Sequence, residues 1–217
     1  MMNKLRLVID IIVPFARVLR RAEADPKDVS LKLVLGYAIP QSFLFMWLAS
    51  FIPFAGGLVY SLLLVPIAAK IHIDEFNIEA RADKASTLLW YFTVIIIGFG
   101  GIWGFVGHTA LADSVARSIG WATGSQFQIE LAFYHLGFGA AALMTIWIRD
   151  HLITGLVIAK SIFWYGAALV HIKDAIIQSN FAIFNVGPPL IGDIIIPTIL
   201  LWLLYVTRKN GESQRDA

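Results

Sequence analysis

The sequence contains no cysteine, which excludes disulfide bonds, thiolate metal sites and cysteine nucleophiles. Charged residues are also scarce, at 15% of the 217 residues against about 25% in a typical soluble domain. The net charge of +2 is too small to indicate a nucleic-acid partner. Neither a glycine-rich nucleotide-binding fingerprint nor the zinc-binding pattern H-E-x-x-H occurs in the chain. These absences argue against the commonest cofactor-binding enzymes.

Apolar residues, in contrast, form 58% of the sequence, and the mean hydropathy is +0.73. A water-soluble core of this size cannot bury so many of them, because polar surface must still cover that core. Lipid is the alternative solvent, and helices satisfy their own backbone groups within it. The composition therefore predicts one all-α membrane domain over 1–217, a polytopic transmembrane helical bundle whose partner is the lipid bilayer and not nucleic acid.

The longest apolar run, at 31–71, is about twice the roughly 20 residues that one membrane crossing needs. Pro53 interrupts it near the middle, where a turn is expected. The run therefore predicts a hairpin of two helices near 31–51 and 54–71. The polar stretch 72–84 that follows is the clearest loop in the chain.

The segment 86–207 contains four further apolar stretches and is the predicted four-helix core of the bundle. These spans are predicted at 86–107, 129–148, 152–171 and 189–207. Residues 208–217 form a soluble cytoplasmic tail. At the other end, 1–30 is a cytoplasmic and interfacial segment, in which 4–21 has an apolar and a basic face, typical of a helix that lies in the membrane interface. The total is about six spans.

Lysine and arginine are distributed unevenly between the two sides that this topology defines. With both termini in the cytoplasm, the inside segments hold 14 of the 17 basic residues, and the outside segments hold only Arg117 and Lys173. The remaining residue, Lys160, lies within a span. Because cytoplasmic loops are enriched in basic residues, the distribution predicts a multi-pass protein of the cell inner (plasma) membrane with cytoplasmic N- and C-termini.

Ionisable side chains inside membrane spans are expensive to bury, so each of them suggests a function. The six-span topology brings His108, Glu130, His171 and Asp193 to the outer leaflet on four different helices, and these residues form the candidate polar site. Glu130, His171 and Asp193 would ligate a transition metal such as Zn, Fe or Mn. Paired histidines could instead bind haem iron, and alternating acids and histidines could relay protons. No catalytic residue can be named.

Three further residues are weaker candidates. Gln128 offers hydrogen-bonding groups in the loop 109–128, which has a short interfacial helix predicted at 115–121 and could cap the outer site. His135 does not share a helical face with the acid on its own span. Lys160 lies near the middle of its span, too deep to reach the interface easily.

Small residues recur in two of the spans, as LGFGAAA at 136–142 and as YGAAL at 165–169. Small side chains allow transmembrane helices to approach closely. The pattern predicts that the fourth and fifth spans pack against each other through these faces.

An ordered set of short motifs extends over roughly residues 95–205. It comprises G-H at 107–108, SIGW at 118–121, S-x-F-Q-x-E at 125–130, LGFG at 136–139, G-x-x-x-x-H-I at 166–172, N-x-G-P at 185–188 and D-I-x-I-P at 193–197. This order resembles a family of small bacterial and archaeal integral membrane proteins of unknown function. The resemblance implies that these residues form one recurring set, in which Asn commonly stands where His135 stands here. It implies no activity.

Three classes of function stay open at this point. The first is a membrane protein with a metal- or proton-binding site in the outer leaflet. The second is a small-solute or proton transporter, in which Pro40, Pro66 and Pro197 would break helices. The third is a non-catalytic subunit or assembly factor, whose polar residues pair helices within a homo-oligomer or a membrane complex. An enzyme acting on lipid or quinone would lack a recognisable nucleophile–base pair.

Overall fold

The computed structural model describes residues 56–149 and 151–213, and most of these residues are helical. The elements are α1 (Gly56–Val59), π1 (Tyr60–Leu64), α2 (Val65–Glu75), α3 (Arg81–Phe92), π2 (Thr93–Phe99), α4 (Gly100–His108), α5 (Ala112–Ile119), α6 (Gln126–Met144), α7 (His151–Ile177), α8 (Ile183–Val186) and α9 (Pro188–Ser213). No strand occurs within these two ranges, which confirms the all-α prediction. The helices predicted at 4–21 and 31–51 lie outside the described residues.

Four helical stretches in the described ranges are long and apolar enough to cross a membrane. They are Gly57–Asp74, Asp83–His108, His151–Ile177 and Ile183–Lys209. They correspond to the second, third, fifth and sixth predicted spans. The fourth predicted span, 129–148, overlaps α6, a helix of 19 residues. The polar residues Gln128, Glu130 and His135 lower the hydropathy of α6, which is not among the four.

The connection between α2 and α3 is shorter than the loop predicted at 72–84. Helix α2 continues to Glu75, and α3 begins at Arg81. The extension is stabilised by His72, whose ring is buried with Nδ1 3.2 Å from the hydroxyl oxygen of Tyr91. The polar sequence 72–84 therefore begins with one more turn of helix, which packs against α3 through His72.

Helices α3 and π2 run continuously through the centre of the bundle, and almost every residue from Leu89 to Phe99 is buried. Helices α2 and α9 pack against α3, whereas α6 packs against π2 and α4. Helix α9 also packs along α7. The central helix thus packs against α2 and α9 through α3, its first half, and against α6 through π2, its second half.

Glycines bring α4 and α6 into backbone contact. A Cβ atom on Gly101 would lie 2.6 Å from the carbonyl oxygen of His135 and 2.7 Å from Cα of Gly139. A Cβ atom on Gly139 would lie 2.9 Å from the carbonyl oxygen of Gly98. No side chain fits at this crossing, so the distance between the two helices depends on both glycines.

The small residues expected to join α6 to α7 have a different role in the structure. Gly139 contacts π2 and α4, and a Cβ atom on Gly137 or Gly166 would meet nothing within 4 Å. Helices α6 and α7 meet through aromatic rings instead, such as those of Tyr134 and Phe163, whose centroids are 4.6 Å apart. The small residues at 136–142 therefore mark an interface with the central helix.

We expect Gly101→Ala to separate α4 from α6 and to lower the thermal unfolding midpoint in detergent, since overpacking of this kind costs about 1–3 kcal/mol. Gly100→Ala is the matched control, because its Cβ would have its nearest neighbour at 3.9 Å. Alanine favours a helix over glycine by up to about 1 kcal/mol, so this control should unfold at or above the wild-type temperature. Equal midpoints for the two variants would contradict the backbone contact.

Candidate functional site: a buried lysine and its histidines

The short helices α5 and α8 lie together across one end of the bundle, where α4 and α7 end and α6 and α9 begin. We call this the α5 end. The three predicted metal ligands do not meet there: Glu130 is exposed on α6, whereas His171 and Asp193 have different neighbours on α7 and α9. Across 56–149 and 151–213, no group of three or more His, Asp and Glu residues is arranged to hold a metal ion.

Lys160, a weaker candidate in the sequence, is the most deeply buried of the predicted residues, with 2% of its surface exposed. Its Nζ atom lies 3.3 Å from Nδ1 of His135 on α6. A charged side chain at the centre of a membrane helix costs about 2.5–3.5 kcal/mol on insertion scales. The neighbours of Lys160 must therefore compensate for most of that cost.

Four aromatic rings surround the ammonium group of this lysine. Its Nζ atom lies 4.6 Å from the ring centroid of Phe163, 4.8 Å from Tyr134, 5.1 Å from Trp164 and 5.7 Å from Phe138. A cation over an aromatic face gains about 2 kcal/mol where water is excluded. Two of the rings come from α6 and two from α7, so the lysine also stabilises the contact between these helices.

The imidazole of His135 occupies a space that a glycine leaves open. A Cβ atom on Gly104 would lie 2.6 Å from Nδ1 of His135, so only glycine allows the ring to lie against α4. One turn further along α4, the ring of His108 stacks on that of His135, with centroids 5.4 Å apart and planes at 18°. The two histidines thus form a continuous polar path from the end of α4 towards α7.

Gln128 connects this path to the backbone at the start of α5. Its Nε2 atom donates a hydrogen bond to the carbonyl oxygen of Ala112 at 3.1 Å. Its Oε1 atom lies 3.3 Å from Nδ1 of His108. The side chain is half-buried, so the outermost histidine of the path is held from the α5 side.

Asp193 supplies a negative charge that acts on the buried ammonium group. It is half-buried on α9, and its carboxylate interacts electrostatically with Lys160. Pro197, four residues later in the same helix, has no N–H to donate to the carbonyl of Asp193. The start of α9 therefore offers two kinds of hydrogen-bond acceptor, the carboxylate of Asp193 and the backbone carbonyl oxygen of the same residue. We call the four ionisable residues of this region the lysine cluster: His108, His135, Lys160 and Asp193.

Two hydroxyl groups of α6 and α7 are buried without a hydrogen-bond partner in the described part of the chain, Oη of Tyr134 and Oγ of Ser161. The ring of Tyr134 is one of those around Lys160, and Ser161 follows this lysine along α7. An unpaired buried hydroxyl costs about 1–3 kcal/mol. The region around the lysine thus carries more polar groups than helix packing requires.

His171 belongs to a second group of polar residues, which lies at α8. We call it the Asn185 cluster: Trp121, His171, Asp174, Asn180 and Asn185. Nδ1 of His171 lies 2.7 Å from Oδ1 of Asn185, and Nδ2 of Asn185 donates to the carbonyl oxygens of Asn180 at 2.7 Å and His171 at 3.3 Å. The Trp121 ring stacks on His171 at 5.4 Å, and its indole N–H donates to Asp174 at 2.9 Å. The cluster ties α7 and α8 to the segment after α5.

Gly120 determines the path of that segment. It ends α5 with φ of +85°, a conformation that glycine adopts without strain. A Cβ atom there would lie 2.7 Å from Oδ1 of Asn180, whose Nδ2 donates to the carbonyl oxygen of Ile119 at 2.9 Å and to Asp174 at 2.6 Å. The short helix predicted at 115–121 is therefore present as α5 and is fastened to the end of α7.

Sequence reasoning identifies His171 but not the residues around it. Trp121 and Asn185 stand in the short motifs SIGW and N-x-G-P, and these motifs are the available signal. Asp174 and Asn180 give no local signal for their contacts with the segment after α5, because Trp121 and Ile119 lie 53 and 61 residues away from them in the chain. Asp174 and Asn180 meet Trp121 and Ile119 only because α7 ends at the α5 end of the bundle.

We expect Asn185→Asp to lower the thermal unfolding midpoint, because an oxygen would replace the nitrogen that donates to two carbonyl groups. The loss should be about 1–3 kcal/mol, measured by scanning fluorimetry in detergent. Gln178→Glu makes the same amide-to-acid change at an exposed position close by and should leave the midpoint unchanged. If Asn185→Asp unfolded at the wild-type temperature, the Asn185 cluster would not stabilise the fold.

Comparison with known proteins yields a family for most of the chain. No curated protein and no solved structure matches it significantly. A model of a family of unknown function, DUF6790, matches residues 56–213, a range that includes both polar clusters and all four membrane-length helices. The match is longer than the motif set at 95–205 and agrees with the expected family of unknown function. The chain therefore belongs to the family of unknown function DUF6790.

Proposed function

We propose that the protein is a multi-spanning membrane protein that transfers protons through its interior, with the lysine cluster as the proton-binding site. The observation that carries the proposal is the contact of Lys160 with His135, at 3.3 Å, inside an apolar helical bundle. A lysine that serves packing alone is better replaced by an apolar side chain, since burying a charge is costly.

The surface of the bundle supports a lipid environment. Only 28% of the span window in His151–Ile177 and 22% of that in Ile183–Lys209 is buried inside the protein. Many of the exposed side chains on these helices are large and apolar, among them Ile158, Ile162, Leu169, Trp202 and Tyr205. A soluble protein rarely exposes so much contiguous apolar surface.

The proposal includes six spans in the inner (plasma) membrane, with both termini cytoplasmic, the first span at 31–51 and α6 as the fourth. The 19 residues of α6 extend about 28 Å, close to the thickness of about 30 Å of the hydrocarbon core. The excess of basic residues on the cytoplasmic side supports this orientation. The α5 end then faces outwards, and His108 is the member of the lysine cluster closest to the outer surface.

The chemistry of the cluster suits proton transfer better than the binding of a fixed cation. Imidazole, amine and carboxylate groups all take up and release protons. Adjacent positive charges repel strongly where water is excluded, so a proton bound at one member favours release from another. The carboxylate of Asp193 can neutralise one positive charge on the cluster, so a first proton is held readily. A second proton adds a positive charge that is not neutralised, so it is released more easily.

Proteoliposomes that enclose a pH-sensitive dye test the proposal. We expect wild-type protein to accelerate the decay of an imposed pH gradient beyond that of protein-free vesicles. Lys160→Gln should reduce this flux by about tenfold or more, which corresponds to about 1.4 kcal/mol in the barrier, because glutamine cannot take up and release a proton. Circular dichroism of the variant checks that its helices are retained.

Lys173→Gln is the matched control, because Lys173 is an exposed lysine on the same helix, and its flux should equal that of the wild type. Wild-type vesicles that leak no faster than empty ones would refute proton transfer. A Lys160→Gln variant with wild-type flux would remove Lys160 from the path.

The absence of cysteine makes the orientation directly testable. We expect a single cysteine at Lys173→Cys to react with a membrane-impermeant maleimide added to spheroplasts, because the proposed topology places it outside. Lys209→Cys, at an exposed position near the cytoplasmic end of α9, should react only after lysis. The reverse labelling pattern would invert the proposed orientation, and labelling of both before lysis would contradict the topology.

A further inference from the structure

We infer that Gln128 is a positioning residue, which fixes the nitrogen at which His108 takes up a proton and so defines the outer entrance of the proposed path. The inference rests on the proposed function for the role of that entrance. The hydrogen-bond assignment on which it depends can be measured without any transport assay. Three polar contacts carry the argument, those of Gln128 with Ala112, of Gln128 with His108 and of Lys160 with His135, together with the stack of the two histidine rings.

The orientation of the Gln128 amide follows from its backbone partner. The carbonyl oxygen of Ala112 can only accept a hydrogen bond, so the amide nitrogen must face it, at 3.1 Å. The amide oxygen is then directed to Nδ1 of His108, at 3.3 Å, and it can only accept. Nδ1 of His108 must therefore carry a hydrogen atom.

This assignment leaves one basic atom on the neutral ring of His108, the Nε2 lone pair. A hydronium ion on the outer side gives its proton to Nε2 and leaves as water, and the imidazolium ion forms. The same N–H bond breaks when the proton passes to an unprotonated member of the lysine cluster or back to water. The Nδ1 hydrogen stays donated to Gln128 throughout. His108 therefore takes up and releases protons at a single nitrogen and does not pass them from one nitrogen to the other.

The neighbouring histidine is held in the opposite tautomer. While Lys160 is protonated, its ammonium group can only donate, so Nδ1 of His135 must accept, and the ring hydrogen of His135 is on Nε2. The stacked pair thus consists of one ring with Nδ1–H and one with Nε2–H. The partner of Nδ1 determines each tautomer, which is why Gln128 and Lys160 act at the two ends of the stack.

Solid-state NMR on ring-¹⁵N-histidine protein in lipid vesicles tests the assignment, because protonated and bare ring nitrogens have well-separated chemical shifts. The loss of signals in His108→Asn and His135→Asn assigns the two rings. At a pH where both rings are neutral, we expect Nδ1–H on His108 and Nε2–H on His135.

In Gln128→Ala, His108 should show both tautomers, and the pH profile of proton flux should change. Gln128→Glu loses the donor to Ala112 but keeps an acceptor oxygen for Nδ1 of His108, so it should keep the Nδ1–H form. Gln126→Ala changes an exposed glutamine two residues earlier and should leave both readouts unchanged.

A wild-type His108 ring with Nε2–H, or an unchanged ring in Gln128→Ala, would overturn the inference. Unchanged flux and pH profile in Gln128→Ala, beside a working wild type, would overturn the positioning role alone. The predicted tautomers without any wild-type flux would overturn the proposed function and leave the hydrogen-bond assignment intact. The two failures are therefore distinguishable.

Discussion

Where α4 crosses α6, Gly101 and Gly139 bring the two backbones so close that no side chain fits between them. The positions of several polar groups depend on that crossing. Gly104 follows along α4 and leaves room for the imidazole of His135, and His108 reaches the face of the same ring one turn later. A wider crossing would separate the two imidazoles and would move His135 away from its ammonium partner on α7.

The environment of Lys160 distributes the cost of a buried charge over several partners. The imidazole of His135 accepts one hydrogen bond, four rings face the cation, and the carboxylate of Asp193 contributes through space. Each contribution is modest, and an apolar residue in the same interface would need none of them. Packing alone therefore does not account for a lysine at this position.

Hydropathy locates the described helices well, because a membrane span needs a long apolar run, and the runs at 86–107 and 152–171 lie within the membrane-length helices Asp83–His108 and His151–Ile177. The rotation of each helix is much harder to predict, since lipid and protein interior are both apolar and leave no polarity difference to read. Glu130 ranks above Gln128 in the sequence because it is charged, yet Glu130 is exposed and Gln128 contacts His108.

His135 illustrates the same difficulty in the opposite direction. Its spacing from the nearest acid makes it a weak candidate in the sequence, but it joins His108 to Lys160 in the structure. The signal for its position lies on another helix, in Gly104, and becomes readable only once α4 and α6 are known to touch. Pairing between helices therefore decides which polar residues meet.

The π-helical segment Thr93–Phe99 lies directly before α4, the helix that carries Gly101, Gly104 and His108. Each residue of an α-helix turns the chain by about 100°, and a π segment accommodates an extra residue. All of α4 is consequently rotated by about 100° from the direction that an unbroken α-helix would give it. If all seven residues of TVIIIGF formed an unbroken α-helix instead, Gly101, Gly104 and His108 would turn away from α6. The alignment of the polar residues is set by the π-helical form of a segment whose own side chains are almost all apolar.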